Sequence, residues 1–156
     1  MTGQRIAIIG GGNLGTAIAE GLLKSGFATP QQITITRRNI ARLQQLKDVG
    51  VSVTDNNKQA IETSDVIIVA LKPYNVKEVL EGLKNSFDAK KHVVISVVTG
   101  VFLKDLSAIL THDVPVFRAM PNTAIAIQES VTCLCSVNAS NAQVNYVTDL
   151  FNQLGI

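Results

Sequence analysis

Apolar residues fall along this chain in two alternating rhythms. Short runs rich in Ile and Val occupy residues 5–9, 33–36, 51–53, 65–71, 93–98, 114–118 and 131–137. Runs of this length and β-branched character predict strands. The 65–71 run is almost wholly apolar, as expected of a strand covered on both faces. Between the runs, apolar residues recur every three or four positions, the period of a helix with one buried face. The first such stripe is Leu14, Ala17, Ile18, Gly21 and Leu22, with a glycine stop at Ser25–Gly26. The second starts near Asn39, carries Ile40, Leu43 and Leu46, and stops at Gly50. A short helix is predicted over 57–63. Pro73 suits a first helical turn, and Val76, Val79, Leu80 and Leu83 follow it. Phe102, Leu106, Ile109 and Leu110 mark a fifth helix. Val144, Val147, Phe151 and Leu154 mark a sixth, capped by Ser140 or Asn141.

Strands alternating with helices predict a parallel sheet with helices on both faces. The expected fold class is therefore α/β, a Rossmann-type doubly wound, mostly parallel sheet of about seven strands. The last strand, 131–137, is expected at the sheet edge and antiparallel. No repeat or linker divides the 156 residues, so 1–156 is read as one domain.

Composition narrows the function. The chain is 46% hydrophobic and 17% charged, as in a globular protein rather than a disordered one. Its net charge of +2 comes without a basic block, so no nucleic-acid surface is expected. The apolar runs are too short for a membrane span. A strand begins within five residues of Met1, which leaves no room for a signal peptide and leads to the expectation of a cytoplasmic protein. Cys133 and Cys135 form C-x-C in the seventh strand, on one face of it. Two ligands do not make a zinc site, so no metal is expected, and the cysteines are read as buried free thiols.

The strongest chemical signal is the first strand followed by Gly10-Gly11-Gly12-Asn13-Leu14-Gly15 and a helix. The glycines at 10, 12 and 15 fit G-x-G-x-x-G in the context that gives the motif meaning. Gly10 would allow the tight turn, Gly12 would let phosphate approach the backbone, and Gly15 would let helix and strand pack closely. The helix N-terminus then presents free amides and a favourable dipole to the pyrophosphate of a dinucleotide.

Cofactor preference should be set after the second strand. An NAD site usually carries an acidic residue about 20 residues beyond the glycines. Here no Asp or Glu lies between Glu20 and Asp48, and the loop is Thr36-Arg37-Arg38-Asn39. A hydroxyl and two guanidiniums suit a 2′-phosphate. One charge-assisted bond would favour NADPH over NADH by roughly ten- to a hundredfold.

Three further strand ends would meet this loop on the same edge of the sheet. They carry Ala70-Leu71-Lys72-Pro73, Ser96-Val97-Val98-Thr99-Gly100-Val101 and Met120-Pro121-Asn122-Thr123. With the segment 8–15, the Asn57–Lys58 pair and Ser64-Asp65-Val66, they make the sequence resemble pyrroline-5-carboxylate reductase, the last enzyme of proline biosynthesis. The order and approximate spacing hold over nearly the whole chain.

That resemblance implies NAD(P)H-dependent reduction of 1-pyrroline-5-carboxylate to L-proline. Gly10, Gly11, Gly12, Asn13 and Leu14 would hold the pyrophosphate. Thr36 and Arg37 would contact the 2′-phosphate, with Asn57 near the adenosine. Ala70, Lys72 and Pro73 would flank the nicotinamide side, and Thr99, Gly100 and Asn122 would shape its pocket. No catalytic acid is assignable, because a protonated imine is already electrophilic.

Two features depart from the family pattern. Ala124 stands where a proline is frequent. The family also continues into a helical C-terminal domain that carries its homo-oligomer interface and much of the imino-acid pocket, whereas this chain stops at Ile156. The expectation is a cofactor-binding half that binds NADPH weakly and turns over little. The competing readings are another NADP-dependent reductase of the β-hydroxyacid dehydrogenase type and a non-catalytic NADP-binding module.

Overall fold

In a computed structural model, which describes residues 1, 3–111 and 113–155, the two rhythms resolve into seven strands and six helices. The strands are β1 (Ile6–Ile9), β2 (Ile33–Thr36), β3 (Ser52–Thr54), β4 (Val66–Val69), β5 (Val93–Ser96), β6 (Val116–Met120) and β7 (Cys133–Val137). The helices are α1 (Asn13–Lys24), α2 (Gln44–Asp48), α3 (Asn57–Glu62), α4 (Pro73–Leu83), α5 (Leu103–Leu110) and α6 (Asn141–Asn152). Sheet order is β3-β2-β1-β4-β5-β6-β7. All pairings are parallel except β6 with β7, which is antiparallel at the edge as predicted.

Alternation along the central strands builds two apolar layers. Ile6 and Ile8 of β1 face a core with Ile18 and Leu22 of α1, Leu46 of α2 and Val147, Leu150 and Phe151 of α6. Ala7 and Ile9 face the other core, with Ala60 and Ile61 of α3, Val76 and Leu80 of α4, and Leu106 and Leu110 of α5. Each of the four β1 residues is fully buried, which is why the strand is continuously apolar.

Several expectations shift. The second helix splits into a 3-10 turn, Ile40–Leu43, followed by α2, with the Asn39 side chain accepting from Ala41 N–H. Ile40 is exposed, so only Leu43 and Leu46 anchor this element. Phe102 is not on a buried helix face: it precedes α5, is largely exposed, and lies under the Arg118 guanidinium at 5.3 Å. Leu154 lies beyond α6 yet is fully buried against Gly21. Ser140 is the α6 cap, with Gln143 completing a reciprocal capping box.

The cysteines are the clearest correction. Both are exposed, not buried. β7 is an edge strand whose cysteine face is exposed, so same-face spacing carried no burial with it. His92, whose role nothing in the pattern announced, is 2% exposed below the sheet. Its Nδ1 accepts from Asp88 N–H at 2.9 Å, which leaves Nε2 as donor to the Ile61 carbonyl at 3.0 Å. Burial holds its pKa below the usual 6.5, with Lys91 adding to the effect.

Candidate functional site

The glycines perform three separable tasks. Gly10 sits at φ +112°, and a Cβ there would lie 2.5 Å from the Ala70 carbonyl oxygen. A side chain is excluded by both conformation and contact. A Cβ on Gly15 would meet the Gly10 carbonyl at 2.0 Å, so this glycine brings α1 against the loop. A Cβ on Gly12 would meet nothing within 4 Å. What that glycine preserves is open space in front of the α1 N-terminus, the space a phosphate group requires. Gly12 is the α1 N-cap, no side chain caps the helix, and its first turn carries no acidic residue. The helix therefore presents unblocked N–H groups and the positive end of its dipole.

The loop is tied to β2. Gly11 N–H donates to the Thr36 carbonyl at 2.6 Å, and Gly10 N–H donates to Thr36 Oγ1 at 3.3 Å. Thr36 is 2% exposed and lies beneath the loop. Arg37 N–H donates to the Thr54 carbonyl at 3.1 Å, joining the ends of β2 and β3. Its Nη1 reaches back to the Gly11 carbonyl at 2.7 Å. Arg37 thus braces the loop as well as charging its rim, a role that sequence spacing cannot reveal.

These elements enclose a cleft of about 370 Å³. It brings together Gly10, Gly11, Gly12, Thr36, Arg37, Arg38, Asn57, Ala70 and Lys72, nine of the predicted residues. Asn39, Asp55, Leu71, Asn75 and Val79 also line it; Asn39 and Leu71 belong to the loops after β2 and β4 that the sequence points to, whereas Asp55, Asn75 and Val79 do not. Asp55 follows β3, a strand too short to draw attention to its end.

Asn13, Leu14 and Asn122 line a separate hollow of about 340 Å³ between α1 and the 3-10 turn Thr123–Ile127. Asn122 starts that turn, its side-chain oxygen accepting from Ala124 N–H at 3.0 Å. Pro73, the first residue of α4, faces a different hollow, about 720 Å³ between α4 and α5. That hollow touches neither the glycine loop nor the arginines, so its size carries no functional weight here. Thr99 and Gly100 form an exposed turn after β5 and line neither cleft.

A glycine loop at a helix N-terminus, set at the carboxyl ends of a parallel sheet, defines a dinucleotide-binding oxidoreductase domain. The chain belongs to the family described as NADP oxidoreductase coenzyme F420-dependent, whose profile matches residues 5–100. Its similarity extends to proteins named pyrroline-5-carboxylate reductase. It is 38% identical to pyrroline-5-carboxylate reductase 1 of Dictyostelium discoideum over 92% of this chain and 26% of that protein. It is 34% identical to the Pasteurella multocida reductase over 99% of this chain and 58% of that protein. The solved pyrroline-5-carboxylate reductase of Coxiella burnetii superposes with a TM-score of 0.92 at 32% identity, over 98% of this chain and 57% of that one. The chain thus spans between a quarter and three-fifths of these relatives and corresponds to their N-terminal part.

Proposed function

We propose that the cleft holds NADPH, with NADH as the weaker alternative, and that this chain contributes the cofactor half of the reduction of 1-pyrroline-5-carboxylate to L-proline. The observation that carries the reading is convergence: the open face of Gly12, the guanidiniums of Arg37 and Arg38 and the ammonium of Lys72 border a single cleft. Four features from three strand ends favour a polyanionic, elongated ligand.

The residues have distinct tasks in this reading. The segment Gly10 to Leu14 wraps the pyrophosphate: the amides of Gly12, Asn13 and Leu14 at the α1 N-terminus face it, while those of Gly10 and Gly11 are held by Thr36. Arg37 and Arg38 neutralise the 2′-phosphate, while Thr36 holds the loop from below. Asn57 lies by the adenosine. Ala70 and Lys72 border the nicotinamide side within the cleft and Asn122 lies across the glycine loop from them, while Pro73, Thr99 and Gly100 stand outside the cleft. The reduced nicotinamide supplies a hydride when bound. A protonated imine accepts it directly, so the demand on this chain is positioning and exclusion of water rather than proton donation. The two exposed free cysteines fit a reducing compartment such as the cytoplasm.

Titration of the chain with NADPH, followed by nicotinamide fluorescence, should show saturable binding that is tighter than for NADH. Absence of binding at millimolar NADPH would remove the reading. In a steady-state assay with 1-pyrroline-5-carboxylate and NADPH, this chain alone should turn over far more slowly than an intact reductase. Comparable turnover would show that the imine site is complete without further residues.

A further inference from the structure

Among the described residues lining the cleft, Asp55 is the one carboxylate, and it immediately follows Thr54, the residue whose carbonyl holds Arg37 N–H. It forms no ion pair with Arg37 or Arg38, and its side chain has no hydrogen-bond partner among the described residues. The Arg37 guanidinium is engaged by the Gly11 carbonyl instead. An acceptor is therefore held free in a cleft whose other charged lining groups, Arg37, Arg38 and Lys72, are cations.

We infer that Asp55 reads the base of the dinucleotide, accepting a hydrogen bond from the exocyclic amino group of adenine. This inference rests on the NADPH reading of the cleft. Strand order supplies the geometry: β1 carries the glycine loop, β2 lies beside it, and β3 lies beyond β2. Neighbouring strands are about 4.8 Å apart, so the end of β3 is about 10 Å outward from the phosphate loop. With pyrophosphate at β1 and the ribose phosphate at the arginines after β2, the group reaching the end of β3 is the base. The chemistry agrees. A carboxylate accepts only, so it repels a 2′-phosphate and needs a donor. On the adenosine end of NADPH the donors are the amino group and the ribose 3′-hydroxyl, and the ribose belongs to the end of β2. Adenine is then separated from hypoxanthine, whose ring presents an oxygen at the same position.

The test compares NADPH with its analogue carrying hypoxanthine in place of adenine, by fluorescence titration of the full chain and of Asp55→Asn. The wild type should bind NADPH about ten- to a hundredfold more tightly than the analogue, the range expected for one charge-assisted bond. In D55N the amide can turn its NH₂ toward the oxygen, so the preference should shrink to within about threefold. The NADPH-to-NADH ratio should stay unchanged. Equal binding of both dinucleotides by the wild type, or an unaltered preference in D55N, overturns the inference while leaving the NADPH site intact. A change in the NADPH-to-NADH ratio instead assigns Asp55 to the ribose and also overturns it. Failure of every dinucleotide to bind removes the cofactor reading, and this inference with it.

Discussion

The two ends of the sheet treat polar side chains in opposite ways. At the amino ends of the strands they are consumed by the fold. His92 spends both ring nitrogens on the backbone of Asp88 and Ile61, and Asp65 accepts from Arg5 N–H at 2.9 Å. At the carboxyl ends, the side chains of Arg38, Asp55, Asn57, Lys72 and Asn75 make no hydrogen bond or ion pair among the described residues, although all five line one cleft. A buried polar group without a partner costs about 1–3 kcal/mol, so the amino end must satisfy its groups internally. At the carboxyl end water satisfies them until a ligand does. Folding chemistry thus dominates at the amino ends, whereas at the carboxyl ends unpaired binding groups stand beside Thr36 and Arg37, which also brace the loop.

The sharpest way to break this contrast is to substitute a residue that serves both. Gly15→Ala should cost about 1–3 kcal/mol or more of stability, because the new Cβ lands on backbone rather than on a movable side chain. It should also abolish detectable NADPH binding; denaturant melts and fluorescence titration measure the two losses.

Arg37→Asp comes next. It should weaken NADPH by about a hundredfold. NADH should weaken severalfold as well, because the bond to the Gly11 carbonyl is lost with the guanidinium. Equal losses for the two cofactors would mean that Arg37 only braces the loop.

Gly12→Ala isolates binding from folding. Its φ of −78° suits any residue, and a Cβ would enter free space, so stability should fall by only about 0.5–1 kcal/mol, the cost of a poorer helix cap. NADPH affinity should drop tenfold or more. An unchanged affinity would show that no phosphate approaches here.

At the opposite end, His92 should make stability depend on pH. Its folded pKa lies below the unfolded value of about 6.5, so the unfolded chain binds the extra proton. Stability is complete above about pH 6.5 and declines as pH falls below it, at up to about 1.4 kcal/mol per pH unit. His92→Gln should flatten that slope in chemical denaturation between pH 7 and 5, with NADPH binding at pH 7.5 unchanged. The smallest effect is expected at β7: alkylation of Cys133 and Cys135 in the native state should proceed readily and alter neither stability nor NADPH affinity measurably.

Much of this arrangement is legible one-dimensionally. The apolar runs point to all seven strands, most firmly to β1 and β4, which are covered on both faces and therefore apolar throughout, and less firmly to the partly exposed β3 and β7. The glycine loop is equally readable, since the conformation of Gly10 and the contact at Gly15 admit no side chain. Other features resist such reading. C-x-C spacing says that two thiols share a face, not whether that face is covered, and at the sheet edge both thiols are exposed. Phe102 fits a helical stripe but lies one residue before the helix. The β3 end goes unnoticed because a three-residue strand has little pattern, and Asp55 goes unnoticed with it.

The chain's own order of residues determined what depends on local backbone and periodicity: the α/β class, the strand–glycine–helix unit and the absence of an acidic residue after β2. Only tertiary structure decided which residues meet. It set Arg37 against the Gly11 carbonyl, placed Asp55 in the cleft, and divided the loops beyond β4, β5 and β6 between different hollows. The physical reason is that a strand end acquires its neighbours from sheet order and crossover connections. Residues 11, 37, 55 and 72 become adjacent through the packing of four strands, and no local preference of any one of them encodes that meeting.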